Sequence, residues 1–161
     1  MPVEVGIYQK LINDPGVSSY VGGRVFGSKA PKDVTYPCIV WTVVLTDDMG
    51  YNFRGASGLR KKRFQFDSYA KKYIHSVKTS DAIRALLQSF SGTLPDGSAI
   101  NGCQVIRDMD FPYEPGPTGQ IHRRLLEIDV TYTETFLPFT PPNSIFPPLE
   151  DYDTIEDDGQ V

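Results

Sequence analysis

Hydrophobic positions follow a helical period at the start of the chain. Val3, Ile7 and Leu11 recur every four residues, which predicts an amphipathic helix over residues 3–13. Asp14-Pro15-Gly16 ends this helix, because proline cannot continue it and restricts the residue before it. A further short turn is predicted over 17–21, and a short strand over 24–26.

The middle of the chain changes to a period of two. Residues 38–46 are almost all β-branched or aromatic, which predicts a strand. One face of it would carry Ile39, Trp41, Val43 and Leu45. Because the other face is also apolar, we expect a central place in the sheet. A second strand is predicted over 60–69, and the segment 48–59 between the two strands is longer than a hairpin needs.

A helix is predicted over 71–90, after the second strand. Ser76, Thr79 and Ile83 would lie along its core side, which leaves Ile74 and Val77 exposed. The alternative is a break near residues 79–80 with a serine cap at the restart. We favour one helix, with the two exposed apolar residues facing a neighbour.

Two further strands are predicted, over 103–109 and 121–136. The second alternates clearly, with Leu126, Ile128, Val130 and Tyr132 inward and Glu127, Asp129, Thr131 and Thr133 outward. The segments 92–102 and 111–120 read as loops. The order of elements predicts an α+β domain over 1–136: a mainly antiparallel sheet of about four strands with helices on one face.

Residues 137–161 have a different character. Five prolines oppose both helix and strand, and apolar residues lie among them: Phe139, Ile145, Phe146 and Leu149. An acidic end follows. We predict an extended C-terminal arm that docks on another subunit; a solvated tail is the equally weighted alternative.

Charge is unevenly distributed along the chain. The formal net charge is −4, yet six acids and no base lie between Glu150 and Asp158. The rest of the chain therefore has 14 acids against 16 bases. Such asymmetry is typical of an interaction tail.

Catalytic signatures are hard to find. His75 and His122 read as surface histidines, and no phosphate-binding glycine motif or zinc spacing occurs. Acidic pairs at 47–48 and 108–110 are better explained as turn caps than as a divalent-cation site. Cys38 and Cys103 are predicted to be buried thiols, although a bridge between them is not excluded. We predict no enzyme, no cofactor and no metal. No apolar run approaches the length of a membrane span and no signal peptide is evident, which predicts a cytosol-like compartment.

A basic run lies between Arg54 and Lys72, with seven bases and only Asp67 as an acid. The aromatic residues Tyr51 and Phe53 lie nearby. The combination permits a nucleic-acid-binding module. A contact with an acidic protein surface is favoured, because the body has little net charge and no known nucleic-acid-binding motif.

Four stretches together resemble the tail-completion, or tail-terminator, proteins of long-tailed bacteriophages. They are the first helix with 14–25, Tyr36-Pro37-Cys38-Ile39-Val40, Gly58-Leu59 leading to 64–70, and Tyr73 with Ile83-Arg84-Ala85-Leu86-Leu87. The resemblance covers residues 3–136, and the arm departs from it.

The resemblance implies a structural virion protein at the neck, assembled in the host cytoplasm. Its copies would form a ring, typically hexameric, that caps the tail tube protein and meets a head-side connector or stopper protein. DNA would pass through the lumen without sequence-specific binding. A connector or stopper subunit is the alternative role, and a small hydrolase is the least favoured.

The sequence predicts two sets of contact residues. Subunit or tube contacts are expected at Tyr51, Phe53, Arg54, Arg60, Lys61, Lys62, Ile74 and Val77. Arm docking is expected to use Phe139, Ile145, Phe146 and Leu149. A closed ring needs two different surfaces on each subunit. We place Ile74 and Val77 in one of them and 48–59 at the tube-facing end.

Overall fold

Three helices form where local signals predict them. The computed structural model describes residues 2–52, 55–56, 58–111, 114–116 and 119–134. Helix α1 spans Val3–Asn13, α2 spans Pro15–Val21 and α3 spans Tyr73–Leu87. The first agrees with its predicted bounds. The third is a single helix, as predicted, but it is shorter at both ends than 71–90.

The strands are more numerous than predicted. In chain order they are β1 (Val25–Gly27), β2 (Cys38–Asp48), β3 (Tyr51–Asn52), β4 (Gly55–Ala56), β5 (Leu59–Ala70), β6 (Gly92–Thr93), β7 (Ala99–Asp110), β8 (Glu114–Gly116) and β9 (Gly119–Thr133). The main sheet has the order β1-β2-β5-β9-β7-β6, with β8 paired to β9. Among the strands that the structure describes, only the β1–β2 pair is parallel.

The prediction of about four strands is therefore corrected. The four long strands β2, β5, β7 and β9 are present, but three short strands enlarge the sheet, and β3 and β4 form a separate hairpin within 48–59. Strands β6 and β8 lie in the predicted loops 92–102 and 111–120. Strands of two or three residues are too short for alternation to reveal them.

One hydrophobic core lies between the helices and one face of the sheet. The largest buried side chains from the sheet are Ile39, Phe64, Phe66, Leu126 and Ile128, and they share a cluster with buried residues of all three helices. Ser76, Thr79 and Ile83 are buried on the core side of α3, as predicted. The α+β class with helices on one face of a mainly antiparallel sheet is confirmed.

A bulge changes which face of the sheet the end of β2 presents. Val43 pairs with Phe64, but Leu45 pairs with Arg63, so the register shifts at Val44. Because Phe64 and Arg63 point to opposite faces, Leu45 leaves the core face and is 37% exposed. The predicted single face of Ile39, Trp41, Val43 and Leu45 is therefore wrong at its last member.

The predicted central position of β2 is also only partly correct. In the described residues, β1 pairs with Ile39–Trp41 alone, and the remainder of β2 has a partner strand only on the β5 side. The outer edge of 43–48 is consequently unpaired there. A strand that is fully apolar on both faces at its start thus becomes an exposed edge at its end.

The two cysteines are free and buried on opposite faces of the sheet. Cys38 pairs in register with Tyr69 on the face away from the helices, whereas Cys103 belongs to the core cluster. Three strand spacings separate β2 from β7, about 14 Å. A disulfide needs Cα atoms within about 7 Å, so the bridge that the sequence left open does not form.

Candidate functional site

The four consecutive bases at the start of β5 are engaged within the subunit. Antiparallel pairing places β5 between β2 and β9, whose carboxylates lie opposite these bases. The ion pairs are Arg60 with Asp48 and Glu134, Lys61 with Asp47 and Asp129, Lys62 with Glu4, and Arg63 with Asp129. This stretch is therefore a neutralised part of the sheet rather than a free basic surface.

The strongest of these contacts is the pair formed by Arg63 and Asp129. The guanidinium donates from Nε to Oδ1 (2.6 Å) and from a second nitrogen to Oδ2 (2.9 Å). Asp129 and Glu127, which are predicted to face outward, are both only 8% exposed. Arg63 covers Asp129, and Arg107 lies 3.8 Å from Glu127. Ion pairing allows these carboxylates to be buried, which alternation alone does not reveal.

Lys62 shows how these ion pairs control protonation. Burial lowers the pKa of its ammonium group, but the hydrogen bond to Glu4 and the charge of that carboxylate outweigh burial. The pKa of Lys62 therefore lies above its ordinary value. Lys62 stays charged and ties α1 to the sheet.

The acidic pairs at the strand ends have basic partners. Asp108 contacts Arg84 and Arg124 at 3.0 Å each, and Asp110 accepts hydrogen bonds from Tyr73 (2.9 Å) and Arg124 (2.9 Å). Within the described ranges, no group of three His, Cys, Asp or Glu residues is placed to hold a metal ion. The carboxylates join α3 to β7 and β9.

The histidines have surroundings typical of surface residues. His75 is exposed on α3, and the ring of His122 lies edge-on to Tyr73 with a centroid distance of 5.9 Å. In the part of the chain that the structure describes, no helix is both long and apolar enough to cross a bilayer. A groove of about 580 Å³ is lined in part by Val3, Lys62, Tyr132 and Glu134, with Lys62 and Glu134 already in ion pairs.

Exposed large hydrophobic side chains concentrate on two parts of the molecule. The first, here called the β2 surface, comprises Val44, Leu45 and Met49 at the end of β2. The second, the α3–β7 surface, comprises Tyr73 and Ile74 at the start of α3 together with Ile106 and Met109 on β7. Met109 pairs with Leu125 and therefore lies on the face of the sheet away from α3. Seven of the eight exposed large hydrophobic residues in the described ranges belong to these two surfaces, and the eighth is Tyr20.

The two surfaces lie diagonally across the sheet. The end of β2 pairs with Arg60 at the start of β5, whereas α3 follows the far end of β5 at Ala70. Strand order also puts β2 and β7 on opposite sides. Side chains of α3 reach β7, since Arg84 contacts Asp108 and Tyr73 contacts Asp110. The two surfaces therefore lie at opposite ends of the strands and near opposite edges of the sheet.

The structure describes only some of the predicted contact residues. Tyr51 lies in β3, but its side chain is outside the described residues, as are Phe53 and Arg54. Ile74 is 50% exposed. Val77 is less exposed than Ile74 and is half-buried. The arm residues Phe139, Ile145, Phe146 and Leu149 all lie outside the described residues.

Sequence reasoning missed most of the two surfaces. Val44 and Leu45 read as covered strand residues, because nothing local shows that β1 ends opposite Trp41. Ile106 lies at a register shift between Val105 and Arg107, which alternation does not predict. A usable signal was available only for Ile74, whose position disagrees with the helical phase of its neighbours.

Comparisons with known proteins agree with this architecture. The family model described as tail completion protein gp17 matches residues 5–133. A solved chain from "Virion of native gene transfer agent (GTA) particle" is similar in fold, with a TM-score of 0.62, 14% identity, and coverage of 81% of this chain and 94% of that chain. Another solved chain gives a TM-score of 0.51 at 12% identity, covering 84% and 95%. No curated protein sequence matches the chain.

Proposed function

The chain belongs to the tail completion protein gp17 family and is therefore a structural tail protein of a phage-like virion; we propose that it is the subunit of a ring that terminates the tail. The ring caps the tail tube protein and presents a surface to the head-side connector or stopper protein. DNA passes through its lumen. Six copies are expected, and assembly takes place in the host cytoplasm.

The observation that carries the ring proposal is the division of exposed apolar area between two different surfaces. A head-to-tail contact that closes by rotation joins one patch to a second, unlike patch on the next copy. The β2 surface and the α3–β7 surface lie at opposite ends and opposite edges of one sheet. Packing Leu45 and its neighbours against Ile74 and its neighbours uses both.

The state of the basic residues supports a structural role over a nucleic-acid-binding one. Arg60, Lys61, Lys62 and Arg63 each have carboxylate partners within the subunit. For these residues to bind duplex DNA, the phosphates would first have to displace the carboxylates from the bases. The segment 48–59, which includes Phe53 and Arg54, remains our expected contact with the tube.

The experiment that tests this function mixes the purified chain with tail tubes and measures assembly by mass photometry and negative-stain microscopy. We expect ring-sized particles and extra density at one end of each tube. A chain that stays monomeric and leaves both tube ends bare contradicts the terminator role. Binding to the isolated head-side stopper but not to tubes would favour the connector alternative.

Matched variants test the two surfaces. Leu45→Glu and Ile74→Glu each place a charge in the proposed contact and should abolish rings, because a buried unpaired carboxylate opposes association. Tyr20→Glu is the control, since Tyr20 is 38% exposed, similar to Leu45, but lies on neither surface. Equal behaviour of all three variants would contradict the assignment of the surfaces.

A further inference from the structure

The start of α3 combines exposed apolar side chains with free positive charge. Tyr73 and Ile74 are 49% and 50% exposed. Lys71, Lys72 and Lys78 are exposed around them, and none of the three has an ion-pair partner in the described ranges. This contrasts with the start of β5, where every base has a partner.

The arm 137–161 has the complementary composition in its sequence. Apolar residues come first, at Phe139, Ile145, Phe146 and Leu149, and six acids follow between Glu150 and Asp158. The only acid within α3 is Asp81. Apolar residues followed by carboxylates therefore match an apolar and basic surface in both respects.

The position at which the arm leaves the body favours a second copy as its binding partner. Glu134 lies at the start of β5, where it contacts Arg60 (2.6 Å). The start of α3 lies past the other end of β5, about 33 Å away along the strand. Five residues of extended chain reach about 16 Å, so Phe139 falls short of its own α3, whereas the eleven residues to Ile145 reach about 34 Å. Docking of the whole apolar set, Phe139 included, therefore requires the α3 of a neighbouring copy.

We propose that the arm 137–161 of one subunit docks on the start of α3 of a neighbouring copy. Its apolar residues extend the contact that the β2 surface of the same subunit makes with Tyr73 and Ile74, and its carboxylates pair with Lys71, Lys72 and Lys78. The inference rests on the proposed head-to-tail ring, in which the β2 surface meets the next copy's α3–β7 surface. That contact brings the end of the body from which the arm leaves close to the neighbour's α3.

The experiment reverses charge on each partner in the full chain. The patch variant carries Lys71→Glu, Lys72→Glu and Lys78→Glu; the arm variant carries Asp151→Lys, Asp153→Lys and Asp157→Lys. Lys29→Glu with Lys32→Glu is the control, because both lysines are exposed and precede β2. Circular dichroism verifies folding, and mass photometry measures rings.

We expect the patch variant and the arm variant alone each to lose about tenfold in ring affinity, while the control does not. An equimolar mixture of the two should regain rings, because each acidic partner then meets a basic one on the other copy. High salt should weaken the wild-type ring. These results support docking between copies.

Two results would overturn the proposal while leaving the ring intact. Single variants that assemble like wild type would show that the arm docks elsewhere. A mixture that stays dissociated, with recovery only when one chain carries both reversals, would show that the arm binds its own subunit.

A separate readout does not depend on rings. A photoreactive phenylalanine analogue in place of Phe146 should crosslink to residues 71–78 of an isotope-labelled second copy. A wild-type chain that forms no ring contradicts the proposed function. In that case the crosslink alone decides the docking, and its absence overturns the inference.

Discussion

At the residue scale, Gly6 has a low helix propensity but allows a close packing contact. Glycine in a helix interior costs about 1 kcal/mol relative to alanine, and in the sequence it reads as a flaw in α1. In the structure, Gly6 is buried where α1 approaches the turn before β7. A Cβ atom there would overlap the Asp96 carboxylate and lie 2.8 Å from Leu94 Cδ1. Asp96 is itself held by hydrogen bonds to Ser98.

We therefore predict that Gly6→Ala lowers the free energy of unfolding by about 1–3 kcal/mol, the cost of overpacking. Helix propensity alone predicts a gain of about 1 kcal/mol. Urea unfolding followed by circular dichroism measures the difference. As a control, Gly6→Ala should cost less in an Asp96→Ala background, since part of the overlap is removed. An increase in stability in the wild-type background would refute the close approach.

At the element scale, α2 depends on its ends. It has seven residues, and isolated helices of that length are not stable in water. The Asp14 carboxylate accepts a hydrogen bond from the Val17 N–H group (2.8 Å), and Gly22 ends the helix with a left-handed φ of 55°. Val17 and Val21 are fully buried. Capping thus holds a short helix in place so that its two valines complete the core.

Asp14→Ala should destabilise the protein by about 1 kcal/mol, because the Val17 N–H group loses its acceptor. Asp14→Asn should retain most of the stability, since its amide oxygen can still accept the bond. Chemical denaturation of the three proteins under identical conditions checks this order. Equal losses for alanine and asparagine would mean that the charge of Asp14, not its hydrogen bond, matters.

At the scale of the whole molecule, the two thiols report burial on both faces of the sheet. Burial raises the pKa of Cys38 to about 11 and that of Cys103 to about 11, from an ordinary value of 9.0. In the unfolded chain both thiols ionise at lower pH than in the folded protein. The unfolded state therefore binds fewer protons between these values, and stability falls as pH rises.

We predict that the free energy of unfolding decreases between pH 9 and pH 11, and that part of this slope comes from the thiols. Denaturation at several pH values gives the slope. The comparison is a variant carrying Cys38→Ala and Cys103→Ala, which should lose less stability over the same range, although it is less stable at neutral pH. Parallel slopes would show that the thiols are not buried in the native state.

Much of the fold follows from short-range pattern. The bounds of α1, the core side of α3 and the four long strands were all predictable, because helical and strand periodicity depend on neighbours a few residues apart. Ile74 could be picked out as exposed for the same reason. The family resemblance likewise rests on motifs that are each local in the sequence.

Other features were decided only by the tertiary structure. Arg63 meets Asp129 across 66 residues of sequence, and Leu45 changes face because of a bulge at Val44. The exposed edge of β2 exists because β1 is short. Pairing partners, strand order and strand ends depend on residues distant in sequence, so no local period encodes them. Periodicity therefore determined which residues form the core, whereas the register of the sheet decided which charges are neutralised and which apolar residues remain available for assembly.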